Sequence, residues 1–275
     1  MLARGGSATD AAIAVMLALT VVEPQSSGIG GGGFMVRGMP DGTVATFDGR
    51  ETAPAGATPE WFLDDNGEVP PRSESVRSGL SVGVPGNIAL AAKAHAAHGK
   101  LAWADLFEPA IRLARSGFEI NPRLNGMLES ARDRSAHSAA ARSLYFDDQG
   151  DPRPVGTLVV NEPLAQTLEM IAGGGPEAFY SGELAERIAE TVSADTPRTG
   201  AMTYADITGY EAKTRDAVCA PYRAYRVCTM GPPTSGGVAV LQMLGQLERF
   251  PIAEMGVRNP LTWHLFVESQ RLAYA

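Results

Sequence analysis

Several things are scarce in this 275-residue chain, and each shortage removes a class of protein. Two cysteines, Cys219 and Cys228, cannot build a disulfide scaffold. Two ordinary buried thiols are the expected state, with a single bridge as the alternative. No basic run interleaved with aromatics exists, and 23 Lys+Arg stand against 31 Asp+Glu, a net charge of −8. That balance argues against a nucleic-acid partner. No apolar run reaches the roughly 18 residues of a membrane-spanning helix, so no membrane span is expected. What the chain does have is 44% hydrophobic residues, enough for a real core and too many for general disorder. The length suits one large domain or two small ones. No linker is visible, so residues 1–275 are read as a single domain of mixed α and β structure, richer in helix.

Both ends read as cut. Ser7-Ala-Thr-Asp10 is a helix start, and residues 11–22 are apolar on every face except Thr20. Such a helix is expected inside a protein. A secretory signal is the rival reading, opposed by Asp10 abutting the run and by the lack of a small-x-small site after Glu23. At the far end, residues 261–275 are helical with no C-cap. In between, 34–37 and 43–48 form a hairpin joined by Pro40-Asp41-Gly42. Residues 53–71 read as a loop, 87–98 as a helix, and 103–116 as a helix interrupted near Pro109. Residues 129–157 read as an exposed polar excursion. Asn161 opens another helix, Leu184, Ile188 and Val192 stripe the next, 222–229 is a strand, and 236–250 a helix.

Several motifs carry possible chemistry. Gly28-Ile-Gly30-Gly-Gly-Gly33 fits the dinucleotide fingerprint literally, but a helix precedes it and a strand follows, the reverse of what phosphate binding needs. A tight backbone approach is the better reading, and no cofactor is expected. Gly79-Leu-Ser81-Val-Gly83 matches a serine-hydrolase nucleophile elbow, yet no buried strand leads into it, and Pro85-Gly86 delays the helix. His95 and His98 sit at i, i+3, but only His137 and His264 could complete a metal site, so no metal is expected. Thr234 and Ser235 could be nucleophiles or anion binders, and more often such residues cap the following helix. Arg50 stands just past a strand end in Asp48-Gly-Arg50-Glu-Thr-Ala-Pro54. There its planar fork can meet a substrate carboxylate, or pair structurally with Asp48 or Glu51.

Taken together, the segments resemble the large subunit of γ-glutamyltransferases. The matches are Gly5-Gly-Ser-Ala-Thr-Asp-Ala-Ala12, the run from Glu23 to Met35, Arg50-Glu-Thr-Ala-Pro54, Gly83-Val-Pro-Gly86, the run from Pro109 to Phe118, Ala178-Phe-Tyr-Ser-Gly182, and Gly231-Pro-Pro-Thr-Ser-Gly-Gly237. The likeness is weakest over 129–157. It implies an α+β N-terminal-nucleophile hydrolase fold, a four-layer αββα sandwich of which this is the large-subunit part. It also implies a self-cleaving precursor, a heterodimer with a small subunit from that precursor, and a γ-glutamyl small-molecule substrate. A periplasmic or secreted location follows from the resemblance alone. The family's threonine nucleophile, activated by its own α-amino group, has no counterpart here. Thr9, Thr20 and Thr203 lack its motif, so this chain alone is expected to be inactive. Arg50 alone carries over, matching the clamp on the substrate α-carboxylate. A cephalosporin-acylase-like relative and a binding-only member are the alternatives.

Overall fold

Ser7 starts the first helix, Ala8–Val22, through a reciprocal capping box. Its hydroxyl accepts from the Asp10 amide, and the Asp10 carboxylate accepts from the Ser7 amide. In a computed structural model of the chain, residues 1–136, 138–194 and 200–275 are described. His137 lies outside them. The chain divides into two compact units, Met1–Gly33 with Gly49–Ala212, and Phe34–Asp48 with Lys213–Ala275.

The first unit is helical. Helix Ala8–Val22 packs on helices Asn87–His98 and Glu108–Ser116, and the latter packs on Glu162–Gly174. Ile13 and Leu17 are fully buried, but Val15 is 56% exposed, so this all-apolar helix is covered on one face rather than all round. Pro109 opens helix Glu108–Ser116 instead of interrupting it, and a short 3-10 turn, Trp103–Leu106, precedes it. Arg115 clasps Glu162 and Glu169 across the helix pair. Asn161 caps Glu162–Gly174 by accepting from the Leu164 amide at 3.1 Å. Helix Gly182–Ala194 buries Ala185, Ala189 and Val192 against Val84, Met202 and Ile207. The 129–157 stretch is less open than its polarity suggests. It holds short helices, Arg132–Ser135 and Ala139–Tyr145, and Phe146 anchors it among Ile120, Leu124, Leu128 and Val159.

The second unit holds two small sheets and the last helices. Strands β1 (Gly33–Gly38) and β2 (Val44–Gly49) form the expected hairpin, closed by Met39 and Thr43. Gly33 and Gly49 fall in the first unit. A strand pair in the first unit, β3 (Phe118–Glu119) and β4 (Leu158–Val159), is antiparallel. Strand β5 (Lys213–Arg215) adds antiparallel to β2, setting Thr46 opposite Arg215. Helix Gly236–Leu247 packs on Pro260–Ala273.

Two expectations need correction here. The single strand over 222–229 is the second half of a hairpin, β6 (Val218–Tyr222) and β7 (Tyr225–Thr229). Its turn carries no glycine or asparagine. Arg223 takes the left-handed conformation, φ 55°, held by its amide donating to Glu248 and its guanidinium to the Phe250 carbonyl. Nor are the cysteines free thiols. Cys219 and Cys228 face each other across that hairpin and form a disulfide. The ladder brings their Cα atoms to 4.1 Å, which places both side chains on one face of the hairpin.

Candidate functional site

Arg50 follows the last residue of β2, and its surroundings explain the glycine-rich motifs. Its carbonyl oxygen accepts from the Tyr210 hydroxyl at 2.8 Å. Its guanidinium is 56% exposed and lies 3.2 Å from Glu51 Oε2. Glu51, one of the structural partners weighed for Arg50, is beside it. Asp48 is buried and binds Arg215 at 2.6 Å. Glu51 Oε2 is buried and accepts no hydrogen bond, so it meets Arg50 as an ion pair alone.

Glycines make room for this pair. A Cβ on Gly32 would stand 2.5 Å from the Gly49 oxygen and 2.6 Å from Glu51 Oε2. One on Gly83 would stand 2.7 Å from the Glu51 Cβ, so Glu51 is held from both sides by chain that can carry no side chain. The amides of Gly86 and Asn87, at the start of helix Asn87–His98, donate to the Gly31 oxygen at 2.9 and 3.0 Å. Asn87 Nδ2 donates to the Gly28 oxygen at 2.7 Å. The glycine loop therefore offers its Gly28 and Gly31 carbonyls to a helix start. Thr52 pairs with Val84 to complete the frame.

Two tyrosines stand behind it, 5.8 Å apart and stacked within 9°. Tyr180 donates to the Pro85 oxygen at 2.8 Å and accepts from the Ala89 amide at 3.2 Å. Burial pushes its hydroxyl well above the usual tyrosine range, the Ala89 bond opposes this weakly, and Tyr210 adds to it. It stays neutral and donates at any ordinary pH. Sequence reasoning named Glu51 as a possible partner of Arg50 and missed Tyr180 and Tyr210. The signal for Tyr180 was its place in Ala178-Phe-Tyr-Ser-Gly182.

The other candidates have structural duties. The Ser81 hydroxyl donates to the Val76 and Ser78 carbonyls, and a helix, Arg72–Val76, precedes it instead of a strand. His95 Nε2 lies 2.8 Å from the Leu101 oxygen and 3.8 Å from Asp10, and its ring meets Trp103 edge-on. Among the described residues no group of three or more His, Cys, Asp or Glu is placed to hold a metal. Thr234 Oγ1 accepts from the Gly236 amide at helix Gly236–Leu247, whereas Ser235 makes no side-chain cap bond. Thr9 is buried, Thr20 donates to the Met16 oxygen, and Thr203 caps Tyr204–Thr208.

The architecture is that of the α+β N-terminal-nucleophile hydrolases. Gamma-glutamyltranspeptidase from Helicobacter pylori superposes with a TM-score of 0.90 at 35% identity, over 99% of this chain and 77% of that one. A cephalosporin acylase from Bacillus halodurans gives 0.82 at 30% identity, over 99% of this chain and 50% of its own. The gamma-glutamyltranspeptidase family model matches residues 1–275, and the chain belongs to that family, whose members are enzymes. A glutathione hydrolase proenzyme from Bacillus subtilis (strain 168) is 37% identical over 278 residues, aligned with all of this chain. The chain spans 46% of that relative's length.

Proposed function

We propose that this chain is the large-subunit portion of a γ-glutamyltransferase, or glutathione hydrolase. The reaction moves the γ-glutamyl group of glutathione, or a related compound, to water or an amino acid. An N-terminal threonine on a small subunit cut from the same precursor attacks the γ-carbonyl, and its own α-amino group takes the hydroxyl proton. The leaving amine departs with a proton, and water or an acceptor amine then releases the ester. Neither the threonine nor its motif is in these residues, so this portion alone is inactive.

The part this chain plays is to hold the donor. Arg50 receives the substrate α-carboxylate on its exposed fork, and Glu51 and Tyr210 fix where that fork starts. The single observation carrying this reading is the half-exposed Arg50 guanidinium, whose residue is tied at its backbone carbonyl by Tyr210 and whose neighbour Glu51 is hemmed in by Gly32 and Gly83. A bidentate contact of this kind is directional, and lysine offers only a point charge. The cephalosporin-acylase-like alternative rests on the structural likeness to that enzyme and would put a different acyl group beside Arg50. In the test, the intact protein carries Arg50→Ala or Arg50→Lys. Subunit appearance is followed on a gel and kcat/KM with a chromogenic γ-glutamyl anilide. Normal cleavage with kcat/KM reduced roughly 30- to 1,000-fold in Arg50→Ala supports the reading. Unchanged kcat/KM, or failed self-cleavage, moves Arg50 to the scaffold.

A further inference from the structure

Helix Asn87–His98 begins without a cap of its own. Its N-cap residue is Gly86, so no side chain there accepts from the first-turn amides. A serine or aspartate would ordinarily do so, but neither fits. A Cβ on Gly86 would collide with the Gly49 oxygen and with the Tyr210 hydroxyl, and this close approach of strand end to helix start demands glycine. The missing bond arrives from 91 positions away. The Tyr180 hydroxyl accepts from the Ala89 amide, the third of the helix, at 3.2 Å, which is the bond an N-cap side chain makes. The same hydroxyl donates to the Pro85 oxygen at 2.8 Å, gripping the residue just ahead of the cap.

The Tyr180 ring is itself held. Buried Phe179 meets it edge-on at 4.9 Å, Tyr210 stacks on it, and both tyrosines pack on the buried cluster that includes Val84 and Ile207. Two routes then run from Tyr180 to Arg50. One passes through the stacked rings to Tyr210, which donates to the Arg50 oxygen. The other passes through the capped helix start, where Gly86 lies against Gly49, the residue before Arg50. We propose, resting on Arg50 as the clamp for the donor α-carboxylate, that Tyr180 is a positioning residue for the Arg50 guanidinium. It supplies the cap that Gly86 cannot carry and backs the tyrosine that holds the Arg50 carbonyl. It acts through Arg50 and not by touching substrate.

Tyr180→Phe keeps the ring and removes both hydroxyl bonds. Activity is measured in the intact protein with a γ-glutamyl anilide and with its 4-aminobutanoyl counterpart, which lacks only the α-carboxylate. In Tyr180→Phe, KM for the complete donor should rise roughly 3- to 10-fold, short of the about 100-fold that a full ångström of misplacement can cost, with kcat within about twofold. The truncated donor should be unaffected. In an Arg50→Ala background, adding Tyr180→Phe should change neither donor, because the residue through which it acts is gone. Equal losses for both donors, no loss at all, failed self-cleavage in Tyr180→Phe, or a further loss on top of Arg50→Ala would make Tyr180 a scaffold residue and overturn the proposal. Full activity in Arg50→Ala alone is the separate outcome that defeats the donor reading, and this proposal with it.

Discussion

Replacing Gly32 by alanine, set against the same change at Gly30, isolates the packing that frames Arg50. At Gly30 an added Cβ meets nothing within 4 Å, and the backbone is not in the left-handed region. There the methyl reduces unfolded-state freedom and should stabilise by about 0.4–1 kcal/mol. At Gly32 the Cβ would lie 2.5 Å from the Gly49 oxygen, roughly 0.9 Å closer than an ordinary contact. That oxygen cannot retreat, because Gly86 approaches it so closely that its own Cβ would collide with the same atom. Glu51 is blocked in turn by Gly83. The strain should cost about 1–3 kcal/mol, as for other overpacked sites. For a unit of this size it lowers Tm by roughly 2–12 °C. Displacing Glu51 by ångström fractions also moves the Arg50 fork, and such misplacement can cost up to about 100-fold in rate. Urea melts and kcat/KM on both variants of the intact protein measure this. If Gly32→Ala is as stable and active as Gly30→Ala, the frame is not where the geometry puts it.

Asp10 gives a pH prediction. Burial raises its carboxyl pKa, but the amides of Ser7, Lys100 and Leu101 together with the Ser7 hydroxyl outweigh that and leave it below the usual aspartate value. The stability this adds is present above an unfolded pKa of about 3.9 and is lost as pH falls through the lower folded value. Asp10→Asn should cost about 2–3 kcal/mol at neutral pH and flatten the acid limb of urea melts. Tyr210→Phe removes the donor to the Arg50 carbonyl, so stability should fall by about 1 kcal/mol and kcat/KM several-fold, while Tyr274→Phe, at an exposed position, serves as the control. Intact mass after alkylation, with and without reductant, should show Cys219 and Cys228 protected until reduced. The double serine variant should lose at most about 2.5 kcal/mol, because the hairpin ladder already closes that short loop.

Local chemistry was legible wherever its cause was local. Ser7 to Asp10 announced a capping box, Pro40-Asp41-Gly42 a hairpin, and Asn161 a cap, because each acts within four residues. The reversed element order around Gly28–Gly33 has its counterpart in the geometry, since the Gly28 and Gly31 carbonyls face Asn87. What stayed hidden is non-local. Tyr210 reaches Arg50 from 160 positions away, and Tyr180 reaches Pro85 from 95. Glu51 was legible as a possible pair for Arg50, but not the hold that Gly32 and Gly83 keep on it. Arg223 broke the turn rule because Glu248 and Phe250 hold it, and a turn without glycine concealed both the second hairpin and the cysteine pairing. Phe146 made a buried anchor inside a polar stretch, since one aromatic suffices where neighbouring helices supply the rest.

The central claim is that Arg50 clamps the α-carboxylate of a γ-glutamyl donor, and a mutation-by-substrate cycle tests it most directly. Two donors are compared, one complete and one lacking only the α-carboxylate, in the unmodified protein and in Arg50→Ala. Removing both partners together should cost no more than removing one, because a single contact is lost either way. The account predicts a coupling of about 2–4 kcal/mol, with the truncated donor indifferent to the mutation. Equal losses for both donors, giving a coupling near zero, would contradict it.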